Sequence, residues 1–116
     1  MEYTVVMGFR GDITMDELFY RWFNDHKEKL QKMGIQTDLI SKSIQSCNPN
    51  PSIFVDHLTS TRGGRVTVWK SGFIDMEILD IQSVELIFFK HLDLTVEYSD
   101  IENLLDEYIE KLISQS

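Results

Sequence analysis

Residues 65–79 have the sequence RVTVWKSGFIDMEIL, in which two alternating segments lie on either side of a short break. Apolar residues alternate with polar ones from Val66 to Val68, and they do so again from Ile74 to Ile78. This period of two is typical of strands with one buried face. Gly72 lies between the segments and favours a turn. The stretch therefore predicts an antiparallel β-hairpin.

Further strands are predicted on both sides of this hairpin. Residues 35–44 form a weak strand, residues 52–58 a clear one, and residues 84–96 a long last one. The sequence NPNP at residues 48–51 breaks the chain, and RGG at residues 62–64 predicts a turn. No helical pattern lies between the strands, which favours an antiparallel meander over parallel βαβ units.

Two amphipathic helices flank the predicted strands. The first begins with a capping box formed by Thr14 and Glu17, and Gly34 ends it. The second follows a similar box at Ser99, and its apolar residues recur at helical spacing. We expect one α+β domain over residues 1–116. It has two layers, an antiparallel meander sheet with the N-terminal and the C-terminal helix packed on one face.

The charge of the chain is negative and unevenly distributed. The formal net charge is −8, from 19 acidic and 11 basic residues. Residues 1–74 hold eight acids and nine bases, whereas residues 75–116 hold eleven acids and two bases. An acidic field repels nucleic acid and anionic lipid and accelerates association with a basic protein. It also supports solubility, which is the plainer interpretation of the charge.

The sequence favours a cytoplasmic location. Cys47 is the single cysteine, so no disulfide can form within the chain. The longest apolar run extends from Leu86 to Phe89, far shorter than a membrane span. The first residues have neither the basic start nor the long apolar segment of a signal peptide.

Motifs for catalysis are missing from the sequence. It has no phosphate-binding loop, no GxGxxG and no GxSxG. One cysteine and three scattered histidines do not provide paired zinc ligands. A composite site that joins His57, His91 and Asp93 across strands stays an open alternative. We otherwise expect no catalytic residue, no metal and no cofactor.

The candidate binding residues are one tryptophan and five acids. Trp69 shares its strand face with Arg65, so it lies on the open side of the sheet if Val66 and Val68 face the helices. Tryptophan and arginine are enriched at interface hot spots. The alternative is that this side is covered, for example by residues 1–12. The acids lie on one strand and in one stripe of the last helix: Asp75, Glu77, Glu102, Asp106 and Glu110.

Several short segments of the chain resemble one known family. They are Trp22-Phe23 with His26, SIFVD at residues 52–56, GRVTVWKSG at residues 64–72, DMEILD at residues 75–80, and the closing amphipathic helix. With these segments the chain resembles the TriTu-type immunity proteins of bacterial polymorphic toxin and contact-dependent inhibition systems. The likeness runs from about Met15 to the end. It implies a small α+β protein that is encoded beside a toxin and blocks it by direct binding.

Three functions remain as hypotheses. The first is an immunity protein that occludes a cognate, basic toxin domain, often a nuclease, through an acidic surface. The second is an acidic secretion chaperone for an effector, which a firmly monomeric state would contradict. The third is a small-ligand-binding or enzymatic α+β domain with a deep pocket. For the first, we expect a monomer or weak homodimer that binds neither nucleic acid nor membranes.

Overall fold

The computed structural model describes residues 14–42, 52–93 and 101–114. The elements in these ranges are α1 (Met15–Lys32), β1 (Gln36–Lys42), β2 (Ser52–Leu58), β3 (Arg62–Trp69), β4 (Phe73–Asp80), β5 (Leu86–Asp93) and α2 (Ile101–Ile113). The predictions for residues 1–12, Cys47, residues 48–51 and Ser99 fall outside the described residues.

The five strands form one sheet in the order β1-β2-β3-β4-β5, and each neighbouring pair is antiparallel. The predicted meander is therefore confirmed. Val66 of β3 pairs with Val55 of β2 on one side and with Met76 of β4 on the other. These side chains point to the same face because directly opposed residues share a face of the sheet. The register between β4 and β5 shifts once, between Ile78 and Leu79.

Both helices pack on one face of this sheet. Helix α1 lies over β1, β2 and β3, and α2 lies over β3 and β4. The core between the layers is apolar, because alternate strand residues meet the apolar side of each helix. Its buried members are Phe19, Trp22, Phe23, Leu30, Ile35, Ile53, Val55, Val66, Val68, Ile74, Met76, Ile78, Leu105, Tyr108 and Leu112. The two-layer α+β architecture is thus the predicted one.

The predicted ends of α1 are also confirmed. At its start, the backbone N–H of Thr14 donates to Oε1 of Glu17 at 3.4 Å, as in a capping box. At its end, Gly34 adopts a φ of 87°, in the left-handed region that glycine enters without steric cost. The next amide, of Ile35, turns back to the carbonyl of Leu30 at 2.9 Å.

The turn predicted at residues 62–64 is wrong, because these residues belong to β3. The chain turns earlier, where Oγ1 of Thr59 accepts hydrogen bonds from the amides of Thr61 and Arg62. Gly64 has a packing role instead. A Cβ atom there would lie 2.3 Å from the hydroxyl oxygen of Tyr108 in α2. Glycine inside a strand can mark such a close approach of another element.

The last strand is shorter at its start than the predicted range of residues 84–96. Val84 and Glu85 belong to the turn after β4, and β5 begins at Leu86. Residues beyond Asp93 and up to 100 are outside the described part of the chain. Lys90, which interrupts the apolar pattern, reaches Oε1 of Glu107 in α2 at 2.8 Å. Its charge is therefore satisfied at the border of the helix layer.

Candidate protein-binding surface

Three predicted binding residues, Trp69, Asp75 and Glu77, lie on the face of the sheet that turns away from the helices. We call this side the open face. Val66 and Val68 are wholly buried under the helix layer, whereas Trp69 is half-buried. Asp75 is half-buried and Glu77 is exposed. Because Val66 and Val68 face the helices, Trp69 lies on the open side of the sheet, as the sequence predicted for this case.

The other three predicted residues lie in the opposite layer. Glu102, Asp106 and Glu110 are exposed along α2 and line the helix side of the domain. The structure does not bring them together with Asp75 and Glu77. The five acids therefore form two separate regions, one on the open face and one in the helix layer.

Arg65 forms an ion pair with Asp56 on the open face. Its Nε and Nη2 atoms donate to Oδ1 and Oδ2 of Asp56 at 2.6 and 3.0 Å, so the ion pair is bidentate. The guanidinium also covers the ring of Phe54, 4.5 Å from its centre. The hydrogen bond to Asp56 raises the pKa of Arg65, and the charge of Glu77 adds to the effect. The positive charge of Arg65 is thus already matched within the protein.

The histidines do not form a composite site. His91 lies on the open face, where its Nδ1 contacts Oδ1 of Asp75 and its ring stacks on Phe73. His57 is 1% exposed and lies under the helices, with its Nδ1 2.9 Å from the hydroxyl of Tyr108. Burial lowers the pKa of His57 to about 4, so the ring is neutral at pH 7. The sheet separates His57 from His91, so the composite site that would join them across strands does not form.

Exposed apolar side chains concentrate on the sheet side of the described structure. Ten large apolar residues are exposed in the described ranges, and eight of them belong to β2, β4, β5 or the turn between β4 and β5. These eight are Leu58, Phe73, Leu79, Ile81, Val84, Leu86, Ile87 and Phe89. Exposed apolar patches rimmed by polar residues are typical of protein interaction sites.

A groove with a volume of about 490 Å³ lies at one end of the open face. Its apolar part comes from Leu58, Gly63, Leu79, Ile81 and Val84. Four acids and one base lie beside them, and these are Asp38, Asp56, Glu77, Asp80 and Arg65. Sequence analysis identified only Glu77 of this set as a binding residue. The other four come from four separate strands, and only the pairing of β1 to β4 assembles them.

The turn at the end of the groove has a strained backbone. Val84 has a φ of 61°, the left-handed region that costs a residue with a Cβ atom about 1–2 kcal/mol. Its amide donates to the carbonyl of Asp80 at 2.8 Å, and the amide of Ser83 donates to the Asp80 side chain at 3.0 Å. The bond from the Ser83 amide lowers the pKa of Asp80. The turn thus fixes Val84 in this conformation, with 71% of the residue exposed.

The described ranges contain neither a candidate metal cluster nor a candidate membrane-spanning helix. In residues 14–42, 52–93 and 101–114, no three histidine, cysteine or acidic side chains are placed to hold a metal ion together. Neither described helix is long and apolar enough to span a membrane.

Comparison with known proteins identifies the family of the chain. No curated protein matches it significantly. Among models of protein families, residues 17–111 match the family described as Immunity protein TriTu. The match includes nearly all of α1, all five strands and nearly all of α2, so it covers most of the chain. The resemblance noted from the short segments is confirmed, and the chain belongs to the TriTu family of immunity proteins.

Proposed function

We propose that this protein neutralises a cognate bacterial toxin domain by binding it directly and covering its active site or substrate groove. The family supports an immunity function. The observation that carries the proposal is the open face, where exposed apolar side chains lie among acidic ones. Apolar contacts provide affinity in such an interface, and the surrounding charges provide specificity and fast association.

The acidic character supports a basic toxin, and a nuclease in particular. An enzyme that holds nucleic acid phosphates presents a positive surface, which is the complement of an acidic inhibitor. The same charge repels nucleic acid and anionic membranes, so neither is a partner in this proposal. The protein would act in the cytoplasm of the toxin-producing bacterium, as part of a polymorphic toxin or contact-dependent inhibition system.

In this proposal, the open face makes the contact with the toxin. Trp69 provides an apolar anchor, and Asp75 and Glu77 face basic residues of the toxin. The stripe of Glu102, Asp106 and Glu110 lies in the other layer, so a partner docked flat on the open face does not reach it. Its role is to extend the negative field that attracts the toxin over distance.

The experiment uses the toxin domain encoded by the adjacent reading frame. We expect this full chain to protect cells that express that domain and to form a complex with it at a fixed ratio. A nuclease assay with the purified toxin should lose activity in proportion to the immunity protein added. An absence of both binding and protection contradicts the proposal.

A further inference from the structure

We infer that the groove beside the β4–β5 turn receives a segment of the toxin in which a bulky apolar side chain is flanked by lysine or arginine. This inference rests on the proposed function, and it adds a place and a chemistry to it. Val84 is the contact at the mouth of the groove. The apolar lining, the charges and the backbone of the turn each support it.

The apolar part of the groove suits a side chain larger than those that line it. Leu58 and Leu79 are 45% and 39% exposed, and Gly63 between them has no side chain to fill the space. Ile81 and Val84 extend the apolar surface into the turn. Burying this exposed surface against a partner is favourable because it removes apolar area from water.

The charges beside the groove favour a cation. Four carboxylates lie there against one guanidinium, and that guanidinium, of Arg65, is already paired with Asp56. Asp38 accepts a hydrogen bond from Gln36, which is neutral and leaves the carboxylate charge in place. Asp38 and Glu77 can therefore face positive groups of a partner. An apolar anchor with basic neighbours matches both halves of this surface.

The backbone at Val84 argues for a role beyond the stability of the turn. A β-branched residue with positive φ is an outlier, whereas glycine or asparagine adopts this conformation at lower cost. The turn also keeps the side chain of Val84 in water, and Val84 is the most exposed large apolar residue in the described ranges. Strained residues of this kind cluster at binding and catalytic sites. Contact with a partner explains why valine stands here.

The test measures binding of the toxin domain from the adjacent reading frame to the full chain, by calorimetry at fixed salt. Val84→Asn relieves the turn and removes the apolar tip. We expect it to weaken binding at least tenfold while its melting temperature equals or exceeds that of the wild type. Leu79→Ser should weaken binding to a similar degree. Amides of residues 81–85 should gain protection from hydrogen exchange in the complex.

Met33→Ser is the matched control, because Met33 is 44% exposed, caps the end of α1 and is not among the residues that line the groove. It should bind as the wild type does. If the wild type binds and both groove variants keep its affinity, the groove is not the docking site, although the proposed function stands. If the wild type itself does not bind, the proposed function fails and this inference fails with it.

Discussion

The hydroxyl oxygen of Tyr108 lies 2.9 Å from Nδ1 of His57, and this contact joins α2 to β2 near the end of that strand. The edge of the Trp22 ring in α1 also faces the His57 ring, with the ring centres 6.5 Å apart. All three side chains are buried. His57 is thus the polar side chain at which both helices and the sheet meet.

The buried His57 predicts a loss of stability in mild acid. Burial lowers its pKa to about 4, and the charges of Asp56 and Asp38 only partly oppose this. Between about pH 6.5 and 4 the unfolded chain therefore binds the extra proton. The free energy of unfolding should fall as the pH falls through this window, by about 1.4 kcal/mol per pH unit at most and about 3 kcal/mol in total.

Urea unfolding at several pH values checks this prediction in wild type and His57→Gln. The variant is less stable at pH 7, but the difference from the wild type should shrink as the pH falls towards 4. His91→Gln is the control, because His91 is exposed on the open face. Parallel pH curves for wild type and His57→Gln would contradict a buried, neutral His57.

The close packing around Gly64 predicts that a single added methyl group lowers the free energy of unfolding substantially. In Gly64→Ala the new Cβ atom would meet Tyr108 Oη at 2.3 Å and Leu112 Cδ1 at 3.2 Å. Both residues belong to the closely packed core, so α2 must shift, at a cost of about 1–3 kcal/mol. Thermal or urea unfolding measures this loss.

Gly63→Ala provides the neighbouring control. A Cβ atom there meets only Leu58 Cδ1, at an ordinary 3.9 Å, so we expect a change within about 1 kcal/mol. Tyr108→Phe removes the atom nearest to the new methyl group. Gly64→Ala should therefore cost less in a Tyr108→Phe background than in the wild type. Equal costs in the two backgrounds would show that the hydroxyl is not the obstacle.

Arg62 forms a second link between the sheet and α2, and its removal should lower the stability of the protein. It is 8% exposed, and its Nη1 donates to the carbonyl of Lys111 in the last turn of α2. Arg62→Met should lower the free energy of unfolding by about 1.5–3 kcal/mol, because it removes a hydrogen bond from a charged donor. Amide exchange in the last turn of α2 should also become faster.

Arg65→Met is the comparison for Arg62→Met, since both remove one guanidinium from β3. Arg65 and Asp56 are exposed, and a surface ion pair contributes about 0–1 kcal/mol. We expect the Arg65 variant to lose less stability than the Arg62 variant. The opposite order would contradict the assignment of Arg62 as the buried anchor.

The proposed acidic contact predicts salt-dependent association with the toxin. Asp75→Lys with Glu77→Lys should slow association about tenfold or more at low salt, and the difference should shrink at high salt. Stopped-flow or surface-based kinetics measure both rates. The matched control is Asp25→Lys with Glu28→Lys, an equal charge change on exposed residues of α1. If both double variants slow association equally, the net charge alone steers the toxin, and the acids of the open face do not contact it.

The secondary structure and its buried faces could be predicted from the sequence. Period two in residues 65–79 gave the central hairpin, and the capping box at Thr14 with the glycine at position 34 gave the limits of α1. The same alternation correctly assigned Val66 and Trp69 to opposite faces. These features are local, because each depends on residues within a few positions along the chain.

Other features depended on the tertiary structure. From the sequence Gly64 resembles a turn residue, but in the structure it lies in β3 with Tyr108 packed against it. The acids of α2 lie in the opposite layer from Asp75. The groove beside Val84 exists only because strand pairing brings β1, β2, β3 and β4 together at one end of the sheet. Contacts between residues far apart in sequence arise from register and helix packing. Local periodicity specifies which face a residue occupies but not which distant residue it meets there.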